Sequence, residues 1–172
     1  MKKIFTALLA LTLLFSLAAC GEKQPQDTSE STTEPTVLTG SLSEIIDKIY
    51  TNAEENSYST DYASEDAMHG FEVTSDRLEY FYGCTFEYEE AYASEYMMTP
   101  PAYSLSVIRL KEGANVEEIK TMIEDNVNPM RWVCVGVEKV IVVNVENIIG
   151  VFMMSEEGAT ALSNSFLALG GN

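Results

Sequence analysis

The residues able to do chemistry are few in kind. The single histidine, His69, stands in a polar stretch before Gly70-Phe71. A nucleophile–base unit needs a base that a third group orients. No serine elbow or nucleophile motif accompanies His69, so it reads as a surface or loop histidine. Beyond residue 20 the cysteines are Cys84 and Cys134, 15 and 50 residues along from His69 and from each other. That is not the spacing of a zinc site with three or four N or S ligands. Both cysteines sit in apolar, strand-like sequence, where a free thiol acts as a small buried hydrophobe. A Cys84–Cys134 disulfide is the alternative, open to the chain in an oxidising compartment. Carboxylates abound, but the visible pairs are adjacent: Glu89-Glu90, Glu117-Glu118, Glu124-Asp125 and Glu156-Glu157. Neighbours on a strand or helix point apart, so these are poor acid/base partners. No phosphate loop, dinucleotide fingerprint or EF-hand spacing occurs, and the residues call for neither a metal nor a cofactor. The methionines read as core and loop filler. What is left is aromatic: Tyr80, Tyr82, Tyr88, Tyr92, Tyr96 and Tyr103. Tyrosine is enriched where proteins bind partners, because its ring is rigid and its hydroxyl can hydrogen-bond. It equally favours strands and pairs across them. Tyr88, Tyr92 and Tyr96, together with Trp132 beside Arg131, are the candidate partner-binding residues; a core role is the alternative for each.

The amino terminus carries a different chemistry. Met1-Lys2-Lys3 is a short basic region, and residues 4–17 form an uncharged apolar run of 14 residues. A membrane-spanning helix needs about 20, whereas a signal peptide's apolar region needs roughly 7–15. Leu17-Ala18-Ala19-Cys20 then resembles the bacterial lipobox. The resemblance implies a diacylglycerol on the Cys20 thiol, cleavage before Cys20, and residence on the extracytoplasmic face of a cell membrane. Two acyl chains suffice for stable anchoring, since each buried methylene contributes about 0.8 kcal/mol.

Without Lys2 and Lys3, the remaining 8 Lys and Arg face 27 Asp and Glu, a net charge of −19 against −17 for the whole chain. Such a surface excludes nucleic acid as a partner, because binding there requires basic side chains that displace counterions. It equally opposes docking on anionic lipid head groups. Contact with the membrane is therefore expected through the lipid alone.

Three segments follow: a signal peptide over 1–19, the lipidated cysteine with a disordered tether over 20–40, and a domain over 41–170. The tether is rich in Ser, Thr, Glu and Pro and cannot bury enough surface to offset its ordering entropy. As a coil it averages about 25 Å end to end. In the domain, Ser41 and Glu44 match the capping box, and Leu42, Ile45, Ile46, Ile49, Tyr50 and Ala53 recur at helical spacing to about residue 55. Residues 56–76 read as polar and irregular. Residues 78–82 read as an aromatic strand turning at Gly83, and 86–92 as a strand with Phe86, Tyr88 and Tyr92 on one face. Residues 97–101, with paired prolines, must be a loop; 103–110 resume a strand. Asn115 and Glu118 cap a helix with Val116, Ile119, Ile123 and Val127 inward, stopped at Asn128-Pro129. Residues 131–135 are ambiguous between helix and strand. Residues 139–145, β-branched on both faces, read as a central strand, with a hairpin near 144–147 into 148–154. Ser155 caps a last helix that ends at Gly170-Gly171. The sum is a single α+β domain: a mostly antiparallel sheet of four to five strands with about three helices, packed largely on one face.

This order of features resembles a family of small Gram-positive bacterial lipoproteins that carry one C-terminal domain of unknown function. The residues that carry the likeness are Tyr82-Gly83, Asn128-Pro129, Trp132-Val133-Cys134-Val135 and the apolar stretch 140–143, over about 41–169. Asn128 stands where Asp is expected. The resemblance implies the fold and the location and brings no activity. The functional expectation is a membrane-anchored, non-catalytic binding domain with an envelope protein as partner. An envelope hydrolase using a carboxylate pair and an assembly accessory of a membrane complex are the alternatives.

Overall fold

Ser41 starts the first helix as its spacing predicts. Its hydroxyl accepts from the Glu44 amide at 3.3 Å, while its own amide donates to the Glu44 carboxylate at 3.0 Å. The fold comes from a computed structural model that describes residues 38–58, 68–96 and 101–171. Cys20, the expected signal peptide, the tether as far as residue 37 and residues 97–100 of the proline loop lie outside the described residues.

Helix α1 spans Leu42–Glu55 and buries the predicted face, Leu42, Ile45, Ile46, Ile49 and Ala53. Strand β1, Met68–Glu72, arises where the sequence reads as irregular. A 3-10 turn at Ser75–Arg77 leads into α2, Leu78–Tyr82. That segment is a helix and not the predicted strand. Its aromatic residues favour strands, but Leu78, Phe81 and Tyr82 fall at helical spacing and are all buried, while Glu79 and Tyr80 face water. Burial of one helical face outweighs a strand propensity that spans only about 1 kcal/mol. Gly83 ends α2 with φ 72°. A Cβ there would lie 1.9 Å from the Asn126 carbonyl oxygen, so the glycine also lets α2 dock against the end of a later helix.

Strand β2, Glu90–Tyr96, begins four residues later than the aromatic pattern suggests. Residues 84–89 are irregular, which resets the two-residue frame. Strand β3 is Ser104–Arg109 and helix α3 is Val116–Asn126, with the Asn115 side chain accepting from the Glu118 amide. Trp132 and Val135 form a single bridge around Cys134, which takes φ 67°, so residues 131–135 are a tight turn. Strands β4, Lys139–Val145, and β5, Ile148–Met154, form the expected hairpin, and Ser155 caps α4, Glu156–Ala168.

The strands make one antiparallel sheet in the order β1-β2-β3-β5-β4. Strand β4 therefore lies at an edge, not at the centre as its composition predicts. Its two apolar faces have another cause: Ile141, Val143 and Val145 pack into the core under α1 and α4, while Val140 and Val142 join the core on the side of α2 and α3. The helices thus divide two and two across the sheet, rather than gathering on one face. The domain is α+β, with four helices and five antiparallel strands.

Candidate binding site along the edge strand

Among the described strands β1 pairs with β2 alone, and its alternating side chains enter two different grooves. On the side of α2, His69 and Phe71 meet residues from three distant segments. The imidazole of His69 lies 5.5 Å from the ring of Phe71, which meets Phe81 of α2 edge-on at 5.8 Å. The 3-10 turn places the Arg77 guanidinium 5.0 Å from the Phe71 ring centre and 4.9 Å from that of Phe81. The turn after α3 supplies Arg131, whose guanidinium lies 4.2 Å from the Trp132 ring, 4.5 Å from Phe81 and 4.8 Å from Tyr80. Arg131 forms an ion pair with Glu95, the residue directly opposite His69 in the sheet. A groove of about 450 Å³ opens beside this stack, lined by His69, Phe71, Arg77, Glu95 and Tyr96.

Arg131 is the costly member. Its side chain is 2% exposed, and Nε and Nη1 have no hydrogen-bond partner among the described residues. Removing a guanidinium from water costs several kcal/mol even after relaxation. Ring contacts return about 0.5–2 kcal/mol each, and the ion pair offsets more. Beside it, burial drives the Tyr82 phenol well above its ordinary range, against smaller opposing effects from Ser106 and the Arg131 charge.

On the α1 side of β1 lies a second groove, of about 500 Å³, whose lining includes Asp47, Tyr50, Thr51, Glu54, Tyr92 and Ser94. The Tyr50 hydroxyl lies 2.7 Å from that of Tyr103 and donates to Ser94 Oγ at 3.2 Å. Burial raises both phenols above their ordinary range. Asp47 and Glu54 stand seven residues apart on α1, about two turns along its axis. The carboxylates whose titration is displaced move the wrong way for a general acid. Asp76 is lowered, chiefly by the Thr74 side chain, and Glu87 is lowered by Lys111. Among the described residues no group of three His, Cys, Asp or Glu could hold a metal ion.

The candidate residues named from sequence do not form one surface. Tyr88 packs on the α2 side and donates to the Val73 carbonyl at 3.0 Å. Tyr92 packs on the α1 side, where its hydroxyl fills the space a side chain at Gly70 would need. Tyr96 lines the arginine groove, and Trp132 lies half-buried beneath Arg131. Tyr82 and Tyr103 are buried outright, and Tyr80 is exposed. Cys84 and Cys134 are both free, the first half-buried and the second exposed, so Cys134 is not the buried hydrophobe its neighbours suggest. His69 is exposed, but on a strand and not in a loop. Sequence reasoning passed over Arg77, Arg131 and Glu95. The available signal was scarcity: the chain has three arginines, and two of them lie near aromatic residues, Arg77 before Tyr80-Phe81 and Arg131 beside Trp132.

The fold is an α+β domain with two grooves flanking one edge strand of its sheet. In comparisons with known proteins, no family model, no curated protein and no solved structure matches the chain.

Proposed function

We propose that this chain is a lipid-anchored, extracytoplasmic binding domain, held at the outer face of a cell membrane through acyl chains on Cys20, which recognises an envelope component along β1. Membership of the Gram-positive lipoprotein family is part of the same proposal. The observation that carries it is the pair of grooves flanking β1, which offer aromatic faces, hydroxyls and a guanidinium. Such a mixture of rigid rings and polar groups suits recognition. Among the described residues no helix is long and apolar enough to cross a membrane.

Photocrosslinking on intact cells tests it. A photoreactive residue at position 71 or 92 is expected to capture a discrete envelope component, and Cys20→Ser is expected to release the protein from the membrane and abolish that capture. A probe at Glu124, exposed on α3, serves as the control. Identical products from all three positions, or membrane retention of the Cys20→Ser protein, would overturn the proposal.

A further inference from the structure

We infer that the groove beside Arg77 binds a carboxylate carried on a flat, unsaturated body. The inference rests on the binding reading above and names the ligand chemistry of one of its two grooves.

The argument begins with the arginines. Arg109 is held by Glu90 and by the Gly40 carbonyl, and Arg131 by Glu95. The Arg77 side chain forms no ion pair and no hydrogen bond among the described residues, in a chain with 27 acidic side chains; the exposed Asp76 beside it acts on it through charge alone. Aromatic rings are its neighbours instead. Rings beside a guanidinium accept no strong hydrogen bonds from it, so its N–H donors are left to a ligand, and a planar fork matches a carboxylate through two parallel bonds.

The local charge agrees. Glu95 lines the same groove, but Arg131 pairs with it from behind. Among the residues that line the groove, Arg77 is the cation left once Arg131 is set against Glu95, with the exposed Asp76 carboxylate next to it in sequence but not in an ion pair with it. The groove floor is ring surface, Phe71 with His69 beside it, which favours a flat group stacked next to the anion. A phosphate dianion is the poorer fit, since one unpaired guanidinium over apolar rings supplies few of the donors its oxygens require.

The test uses the detergent-solubilised, acylated protein with three probes: benzoate, its neutral isostere benzamide, and inorganic phosphate. Saturation-transfer NMR reads the two aromatic probes and ³¹P line broadening reads the third. Benzoate is expected to bind in the low-millimolar range usual for so small a ligand, with benzamide at least about tenfold weaker and phosphate undetected. Arg77→Gln is expected to abolish benzoate binding and Arg77→Lys to weaken it, because an ammonium cannot offer the planar fork. Unchanged thermal unfolding of Arg77→Lys separates recognition from a purely structural role. Equal binding of benzoate and benzamide, equal binding to wild type and Arg77→Gln, or phosphate as the tightest probe would each overturn the inference. If benzoate fails while crosslinks at position 71 persist, only the ligand class falls; if those crosslinks also fail, the binding reading falls with it.

Discussion

Neutralising Glu95 should destabilise the domain by exposing the cost of burying Arg131. In the native protein the Arg131 side chain is 2% exposed and that of Glu95 is 18% exposed. Glu95→Gln keeps the shape but leaves a guanidinium buried against three rings with no counter-charge. Breaking a fully buried pair costs about 3–5 kcal/mol. Water can still reach the Glu95 position, and the ring contacts remain, so we expect about 2–3 kcal/mol. For a domain of this size that lowers Tm by roughly 6–12 °C. The double variant Glu95→Gln/Arg131→Met removes the orphaned charge and refills the space, and should return to within about 1 kcal/mol of wild type. Urea unfolding at neutral pH, followed by tryptophan fluorescence and far-UV circular dichroism, measures all three. A single variant within about 0.5 kcal/mol of wild type, or a double variant worse than the single, would refute the reasoning. A stable double variant would also show that the pair is not needed for stability, leaving the shape of the Arg77 groove as its consequence.

Gly83→Ala should cost at least about 2–3 kcal/mol in the same assay, because the left-handed backbone and the Asn126 carbonyl both reject a Cβ. Stability should fall as pH rises past about 10, since Tyr50 and Tyr103 hold their protons more tightly folded than unfolded; the contribution is complete below the unfolded pKa and lost above it. Tyr103→Phe should flatten that decline, and an equal slope in wild type and variant would contradict it. Thiol alkylation of the native protein should modify Cys134 before Cys84, because Cys134 is exposed while burial raises the Cys84 thiol. Non-reducing peptide mapping showing the two joined would count against the free-thiol structure.

Much of the fold was legible because its signals are local. Ser41 with Glu44, Asn115 with Glu118 and Ser155 lie within one helical turn of the amides they cap, so sequence spacing alone identifies them. The misreadings occurred where a tertiary contact decides. Leu78–Tyr82 is too short for its helical period to stand out from aromatic strand propensity, and its burial against the sheet settles the matter. Strand β4 reads as central because helices cover both of its faces, yet hydrogen-bonded neighbours, not side chains, define an edge.

The candidate site was nearly invisible for a related reason. Its parts come from residues 69–71, 77–81, 95 and 131–132, and no spacing rule joins them. The tyrosines stood out because they are numerous, but numbers in a strand protein reflect packing, and the irregular stretch before β2 puts Tyr88 on the opposite side of the sheet from Tyr92. The informative residues were the rare ones. In a chain of net charge −17, an arginine finds a carboxylate partner readily, as Arg109 does with Glu90 directly across the sheet. An arginine that rests on phenyl rings instead keeps its donors for another partner. Scarce charge beside aromatic sequence was therefore the better clue than abundant aromatics, and Arg77 is where that clue leads.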